Sequence, residues 1–314
     1  MSNAFTTAMR LLEADGPARE DVERGLALME KASAEGDPGA SERCALFESI
    51  GIVRPQDWTR ALDYLELAAT QGSTSAREQL LLLADNRTDP APGEGMDWHE
   101  LRSRVSIDQR TQPGKKGSLS DEPRIRFVKA FATGPECRWI VAGARPRLAP
   151  ATVFDKRSGG QTHDESRDNS SFVMRLPEMS LLTEVIRHRI SAVTNLPVPL
   201  FEPAQVLHYA VGQRFKQHYD FLDPDNPAYA ETLGQFGQRI ATFLIYLNGG
   251  YSGGETAFPA IGLDYRAEEG DALFFANVTR DGAPDRKTLH AGMPPTSGEK
   301  WVFSQWIRDQ YPAV

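Results

Sequence analysis

The spacing of apolar residues in the first part of the chain repeats itself. Residues 24–46 (RGLALMEKASAEGDPGASERCAL) align with residues 60–82 (RALDYLELAATQGSTSAREQLLL) at a fixed offset of 36 residues. In both copies small and apolar residues recur at helical spacing, and a glycine, Gly36 or Gly72, follows the first run. Glycine readily adopts the left-handed conformation that ends a helix, so the pattern predicts two helix-turn-helix repeats.

A different pattern begins near residue 123. Short apolar segments rich in β-branched and aromatic residues alternate with turns: IRFVKAF, QVLHYAV, ATFLIYLN, GETAFP, DALFFANV and WVFSQWI. Such runs predict antiparallel strands in a sandwich or double-sheet barrel, with one inserted helix at residues 178–194. The residues between the two patterns are rich in Pro, Gly, Asp and Ser, which is typical of a linker. We therefore expect an all-α repeat region at 1–85, a linker at 86–122 and an α+β domain at 123–314.

Composition narrows the class of protein. The 314 residues are 40% hydrophobic and 25% charged, as in an ordinary globular protein, and the net charge of -8 disfavours a nucleic-acid partner. The two cysteines, Cys44 and Cys137, provide neither a disulfide framework nor a cysteine zinc site, which favours a reducing compartment. The sequence has no signal-peptide pattern and its apolar runs are too short to span a bilayer, so we predict a cytoplasmic protein without membrane contacts.

Candidate metal ligands stand in two short motifs. His218 and Asp220 are two residues apart in FKQHYDFLDP, and in an extended chain they point to the same face while Tyr219 points to the other. His290 follows in KTLHAGMPP. Two histidines and one aspartate form the facial triad that binds Fe(II) and leaves positions open for other ligands.

A lysine near the end of the chain suggests an anionic cosubstrate. If the segment EKWVFSQWI alternates as a strand, Lys300 faces the same side as Val302, Ser304 and Trp306. A buried ammonium among apolar neighbours requires an anionic partner. A dicarboxylate cosubstrate would supply that partner.

These motifs, together with their neighbours, resemble a known enzyme family. The runs EPAQVLHYAVGQRFKQHYD, GQRIATFLIYLN, GGETAFP and KTLHAGMPPTSGEKWVFSQWI stand in order within residues 200–308 and resemble the catalytic domain of 2-oxoglutarate- and Fe(II)-dependent prolyl 4-hydroxylases. The run SRDNSSFV at 166–173 resembles the family's Arg-containing substrate loop. This resemblance implies a double-stranded β-helix, or jelly roll. The N-terminal repeats resemble the Sel1-like branch of the tetratricopeptide superfamily, whose helical hairpins contact other proteins.

The resemblance also implies roles for individual residues. It implies that the metal-binding and catalytic residues are His218, Asp220 and His290. It implies that 2-oxoglutarate is held by Lys300 and Tyr209 through its distal carboxylate, with Thr242 adding to the pocket. It implies that the peptide groove is lined by Arg167, Arg239 and Trp306. Phe215 departs from the family, which often has Tyr three residues before the first iron ligand, so one hydrogen bond to the substrate is in doubt.

The implied reaction is hydroxylation of prolyl residues in a protein or peptide, with release of succinate and CO2. It would use Fe(II), 2-oxoglutarate and O2, with L-ascorbate (vitamin C) as reductant. Alternatives are hydroxylation of a free amino acid or other small metabolite, and a non-catalytic repeat scaffold with an oxygenase-like fold. Nucleic-acid demethylation is disfavoured because its iron enzymes usually hold 2-oxoglutarate with Arg rather than Lys.

Two further expectations concern residues outside the ligand set. The loop at 155–171, which is rich in Gly, Ser and charged residues, is predicted to be a mobile lid that orders over the groove when substrate binds. Three histidines outside the matched motifs are predicted to be surface residues: His99, His163 and His188. His208 is predicted to face away from its neighbour Tyr209.

Overall fold

The computed structural model describes residues 2–14, 17–87, 95–154, 161–162 and 166–311. The helices in these ranges are α1 (Asn3–Leu12), α2 (Arg19–Ala34), α3 (Pro38–Ile50), α4 (Trp58–Thr70), α5 (Thr74–Asp85), α6 (Trp98–Ser103), α7 (Ile107–Arg110), α8 (Gly134–Ala144), α9 (Leu181–Thr194) and α10 (Ala230–Phe236). None of these helices is both long enough and apolar enough to cross a membrane.

The strands of the described residues follow the same chain order. They are β1 (Lys116–Asp121), β2 (Arg124–Val128), β3 (Ala149–Pro150), β4 (Val153–Phe154), β5 (Gln161–Thr162), β6 (Ser170–Met174), β7 (Ala204–Tyr209), β8 (Phe215–His218), β9 (Arg239–Tyr246), β10 (Ser252–Gly253), β11 (Thr256–Phe258), β12 (Leu263–Tyr265), β13 (Ala272–Ala276), β14 (His290–Gly292), β15 (Pro295–Ser297) and β16 (Lys300–Arg308). Each apolar segment singled out in the sequence overlaps one of these strands.

Residue contacts divide the chain into two compact units. The helical unit contains Met1–Gln112 and Arg175–Ala192, and the sheet unit contains Pro113–Met174 and Val193–Val314. The chain thus leaves the helical unit, begins the sheet unit, returns for α9 and then completes the sheets. The residues predicted to form a linker, 86–122, contain α6, α7 and β1. The division into a repeat region at 1–85, a linker at 86–122 and a catalytic domain at 123–314 stays a prediction.

The N-terminal region is helical, and its two hairpins are α2–α3 and α4–α5. Gly36 and Gly72 follow the first helix of each hairpin with φ of 93° and 102°, in the left-handed region that glycine tolerates. The next helices begin at the N-caps Asp37 and Ser73, whose side chains accept hydrogen bonds from first-turn amides. The alanines at matching positions are fully buried: Ala32, Ala40, Ala68 and Ala76. The repeated helical hairpin therefore follows the offset of 36 residues seen in the sequence.

Helix α9 belongs to the helical unit. Its first turn is tied to the repeats because the Leu182 amide donates a hydrogen bond to Gln79 Oε1 at 3.1 Å. The His188 ring lies edge-on to Trp58, with 5.1 Å between ring centroids, and its Nε2 is 3.0 Å from Gln56 Nε2. His188 is therefore half-buried, not the surface residue predicted from the sequence, whereas the His99 side chain is 79% exposed as expected. His163 lies outside the described residues.

The sheet unit is a jelly roll made mainly of two antiparallel sheets. The larger sheet has eight strands in the order β1-β2-β13-β9-β16-β7-β6-β3, and the smaller has four in the order β12-β11-β14-β8. A core of buried apolar side chains joins them, with Leu207, Tyr246 and Phe275 from the larger sheet and Phe258 and Tyr265 from the smaller. The predicted α+β fold with a double-stranded β-helix is confirmed.

Candidate active site

The three predicted metal ligands meet at the edge of the smaller sheet. Strand β8 ends at His218, strand β14 begins at His290, and their antiparallel register places these two residues opposite each other. Asp220 lies two residues past the end of β8, so the alternation argued from the sequence holds although the strand itself has ended. One potential ligand atom from each of the three residues lies within 4.8 Å of the others.

Backbone carbonyls fix the orientation of both imidazole rings. His218 Nδ1 lies 2.8 Å from the Lys216 carbonyl oxygen, and His290 Nδ1 lies 2.9 Å from that of Thr288. A carbonyl oxygen only accepts hydrogen bonds, so each Nδ1 carries the hydrogen and each Nε2 keeps a free lone pair. The two Nε2 atoms lie 3.6 and 3.5 Å from the Asp220 carboxylate oxygens, too far for good hydrogen bonds. The donor set therefore fits a divalent metal ion held between these three side chains.

The protonation states of this cluster also suit a metal. Burial, helped by the neighbouring His290, lowers the pKa of His218 to about 3, so its imidazole is neutral near pH 7. Burial by itself would raise the pKa of Asp220. The two imidazoles and a hydrogen bond from Thr242 outweigh that effect and hold the pKa below its ordinary value. Neutral imidazole and ionised carboxylate are the forms that bind metals.

Thr242 lies behind the ligands rather than in the cavity in front of them. Its side chain is 1% exposed, and its hydroxyl donates a hydrogen bond of 2.7 Å to Asp220 Oδ2. Asn277 Nδ2 in turn donates to the Thr242 hydroxyl oxygen at 3.0 Å. The resemblance predicts Thr242 in the 2-oxoglutarate pocket, and no motif in the sequence indicates a role for Asn277. The register of β9 against β13, which sets this contact, is not visible in either segment alone.

A cavity opens in front of the metal ligands. It is lined by Arg167, Gln205, Leu207, Tyr209, Phe215, His218, Asp220, Leu244, Thr256, His290, Gly292, Lys300, Val302, Ser304 and Trp306. All four residues of β16 that were predicted to share one face are among them. Strand alternation thus places the lysine, the metal ligands and an aromatic ring around one space.

Lys300 carries a buried amino group in this cavity. The residue is 2% exposed, and its Nζ lies 5.3 and 5.5 Å from the ring centroids of Tyr209 and Tyr246. Among the described residues, no carboxylate forms an ion pair with Lys300 Nζ. Burial therefore lowers its pKa to about 7. Gly254, at φ 70°, makes room for the stem, because a Cβ there would lie 3.3 Å from Lys300 Cδ and 3.0 Å from Tyr251.

Tyr209 faces Lys300 across the β7–β16 pairing. Burial raises the pKa of Tyr209 to about 12, so its phenol stays neutral and can donate a hydrogen bond. The preceding residue, His208, faces the other side of the sheet, where its ring packs on Trp301 at 4.4 Å and its Nε2 lies 2.9 Å from Glu299 Oε2. The predicted opposite orientations of Tyr209 and His208 are confirmed.

The residues predicted to bind a peptide lie at the outer part of the site. Arg167 and Trp306 line the cavity, whereas Arg239 lies over the Trp306 ring, with its guanidinium carbon 3.7 Å from the ring centroid. Glu202 holds Arg239 in that position through two hydrogen bonds of 2.6 and 2.9 Å. The groove therefore presents an aromatic ring backed by an arginine whose position is fixed by Glu202.

Phe215 closes the cavity next to the first ligand. Its ring stacks on His218 with 3.5 Å between centroids, and the Arg167 guanidinium carbon lies 4.7 Å from its centroid. Residues 166–171 at the end of the predicted lid are described, and Arg167 bridges to Phe215 as an isolated antiparallel pair. Residues 155–160 and 163–165 lie outside the described residues, so the mobile lid stays a prediction.

Comparison with known proteins gives this geometry a family context. Residues 204–308 match the family model described as the 2OG-Fe(II) oxygenase superfamily. Prolyl 4-hydroxylase 13 of Arabidopsis thaliana is 30% identical over 243 residues, which cover 69% of this chain and 86% of the relative. Prolyl 4-hydroxylase 5 of the same plant is 36% identical over 209 residues, which cover 60% and 69% respectively. The crystal structure of a viral collagen prolyl hydroxylase from Paramecium Bursaria Chlorella virus-1 aligns with a TM-score of 0.46 at 25% identity, covering 60% of this chain and 98% of that chain.

Proposed function

The chain belongs to the prolyl 4-hydroxylase family of 2OG-Fe(II) oxygenases, and from this premise we propose that it hydroxylates prolyl residues in a protein or peptide substrate. The reaction consumes 2-oxoglutarate and O2 and releases succinate and CO2. The observation that supports this most directly is the meeting of His218, Asp220 and His290 with the buried Lys300 in one cavity. Ascorbate as a reductant and a cytoplasmic location are part of the proposal.

The metal would be held by His218 Nε2, His290 Nε2 and the Asp220 carboxylate. Fe(II) bound there supplies the activation of O2 and 2-oxoglutarate that hydroxylation of a C–H bond requires. The protein orients these ligands through the carbonyl oxygens of Lys216 and Thr288, described above. Aromatic rings shield the site from water, with Phe275 and Phe258 centroids 4.9 and 5.7 Å from that of His290.

Lys300 and Tyr209 would hold the distal carboxylate of 2-oxoglutarate. A buried ammonium without an ion pair gains a strong charge-assisted hydrogen bond when an anion enters the cavity. The neutral Tyr209 phenol adds a second donor from the neighbouring strand. The cosubstrate would thereby be fixed at one end, with its other end toward the metal ligands.

The outer groove suits a proline-containing peptide. Trp306 offers an aromatic surface, and such surfaces bind proline-rich segments because the proline ring packs on them with little loss of conformational freedom. Glu202 pairs with both Arg239 and Arg308, and it holds Arg239 in place over the Trp306 ring. Arg167 already donates to Asn169, to Thr152 O and to Gln205, and the remaining N–H groups of its two terminal nitrogens are the donors proposed for peptide carbonyl groups. We further propose that the helical repeats, which resemble Sel1-like modules, contact the protein that carries the target proline.

A peptide assay tests this function directly. The full-length chain is incubated with Fe(II), ascorbate, 2-oxoglutarate and a short proline-containing peptide, and both succinate and the mass of the peptide are measured. We expect succinate release together with a gain of one oxygen on the peptide. A matched peptide with alanine in place of proline should gain no oxygen. Hydroxylation of free proline or another amino acid, with none on the peptide, would support the small-metabolite alternative instead.

The pKa of Lys300 predicts how cosubstrate binding depends on pH. Below a pH of about 7 the amino group is already charged, so affinity for 2-oxoglutarate should be constant. At higher pH the free enzyme loses that charge, and binding must take up a proton, so affinity should fall by about tenfold per pH unit. The KM for 2-oxoglutarate, measured at saturating iron across this range, checks the expectation.

The matched control for this pH effect is Lys300→Arg. A guanidinium stays charged over the whole pH range. The variant can bind 2-oxoglutarate more or less tightly than the wild type, but its KM should not rise tenfold per pH unit. A wild-type KM that is equally flat would show that Lys300 is charged in the free enzyme.

A further inference from the structure

A buried asparagine lies behind the carboxylate of Asp220. Asn277 directly follows β13 and is 0% exposed. Its Nδ2 donates to the Thr242 hydroxyl oxygen at 3.0 Å, and that hydroxyl donates to Asp220 Oδ2 at 2.7 Å. The three side chains form one continuous series of hydrogen bonds that ends at a metal ligand of the proposed function.

The direction of each hydrogen bond in this series follows from its chemistry. An amide nitrogen only donates, an ionised carboxylate only accepts, and a hydroxyl has one hydrogen to give. Because Asn277 donates to the Thr242 oxygen, the hydroxyl hydrogen is left for Asp220. If the amide were reversed, its oxygen would accept that hydrogen and Asp220 would lose its donor. The orientation of one amide thus decides whether Asp220 Oδ2 is held.

The stability of the fold does not account for this asparagine. Among the described residues Asn277 Oδ1 is buried without a hydrogen-bond partner, a situation that destabilises a protein. The backbone of Asn277 is nevertheless fixed on both sides, since its amide donates to Ile240 O at 2.8 Å and its carbonyl accepts from Asp285 N at 2.9 Å. The side chain is therefore aimed at Thr242 at a cost in stability, which is the pattern expected of a functional group.

We propose that Asn277 is a positioning residue for metal binding. Its amide fixes the Thr242 hydroxyl, which holds Oδ2 of Asp220 and leaves Oδ1 as the oxygen presented to a divalent metal ion. Partners of this kind around a ligand typically contribute tenfold to hundredfold in metal affinity. The inference rests on the proposed function only in taking Asp220 as a metal ligand.

Co(II) binding to the metal-free full-length chain tests the positioning role without any turnover. Titration followed by visible absorbance should show that Asn277→Leu, which has a similar volume and no amide, binds Co(II) about tenfold more weakly. Thr242→Val should weaken binding at least as much, and Thr242→Ser, which keeps the hydroxyl, should restore most of the affinity. Because Asn277 acts through Thr242, adding Asn277→Leu to Thr242→Val should cause no further loss.

Asn248→Ala is the matched control. Among the described residues, the Asn248 amide bonds to backbone groups alone, including Glu299 O and Trp301 N at 2.8 Å each. Its loss should therefore lower the unfolding temperature without weakening Co(II) binding selectively. If Asn277→Leu does not fold, Asn277→Ala replaces it in the same series. Two results would overturn the positioning role but leave the metal site standing. One is an unchanged Co(II) affinity in a folded Asn277 variant. The other is an Asn277 substitution that weakens Co(II) binding as much in the Thr242→Val background as in the wild type. A wild-type chain that binds no Co(II) would overturn the metal site itself, and this inference with it.

Discussion

Replacing His218 or His290 by alanine is expected to abolish 2-oxoglutarate-dependent succinate formation. Each substitution removes one of the side chains proposed to bind the metal. The loss should exceed the roughly hundredfold upper limit that is typical when only a residue around a ligand is changed. Asp220→Ala should behave in the same way, because the carboxylate supplies the negative charge of the site. Succinate release, measured with the proline peptide at saturating Fe(II), checks all three variants.

The same variants should remain folded. Among the described residues, the hydrogen bond of each imidazole goes to a backbone carbonyl, so alanine removes aromatic packing but leaves no other side chain without its hydrogen-bond partner. Thermal unfolding of the metal-free chains measures this directly. His208→Ala is the matched control, because His208 lies on β7 with its ring toward Trp301 and away from the cavity, and it should retain turnover. Full activity in the His218 and His290 variants would contradict the assignment of the triad.

Lys300→Ala is expected to raise the requirement for 2-oxoglutarate far more than the requirement for iron. A charge-assisted hydrogen bond contributes about 1.5 to 3 kcal/mol, which corresponds to roughly a tenfold to hundredfold loss of affinity. Lys300→Met keeps most of the volume of the lysine stem but removes the charge. It should lose as much affinity for 2-oxoglutarate as Lys300→Ala does, which would assign the loss to the charge and not to packing. The KM for 2-oxoglutarate and the KM for Fe(II), determined for each variant, check the prediction.

An exposed lysine provides the reference for this experiment. Lys31, whose side chain is 66% exposed on α2, can be changed to alanine without an expected effect on either KM. If the KM for 2-oxoglutarate is unchanged in both Lys300 variants, the cosubstrate carboxylate is held elsewhere in the cavity. If both KM values rise together, Lys300 supports the cavity as a whole.

The sequence predicts best those parts of the site that depend on the alternation of side chains along a single strand. Alternation along one strand is enough to place Lys300 and Trp306 on the same face, and the i, i+2 spacing of His218 and Asp220 survives although β8 ends at His218. His290 is a candidate ligand from its own motif, KTLHAGMPP, and the family resemblance supports it. These features depend on local geometry, which each segment carries by itself.

The parts that the sequence does not predict depend on register between distant strands. The matched motif that contains Thr242 predicts it in the cosubstrate pocket, whereas its hydroxyl donates a hydrogen bond to Asp220 behind the metal ligands. Asn277 lies 35 residues further along the chain and meets Thr242 only because β13 pairs with β9. Helix α9 shows the same limit, because its apolar face does not reveal which unit of the protein it joins.

The route of the chain through the two units has a consequence for biosynthesis. The helical unit needs α9, yet residues 113–174, which begin the sheet unit, leave the ribosome before α9 does. Although synthesis runs from the N-terminus, the repeats must wait for this helix, with their contact surface for it open in the meantime. The first strands of the larger sheet likewise wait for β7, β9, β13 and β16. The helical unit is complete only when residue 192 has been made, and the sheet unit only when β16 has been made. While residues 113–192 are being synthesised, the nascent chain therefore carries two incomplete cores at once.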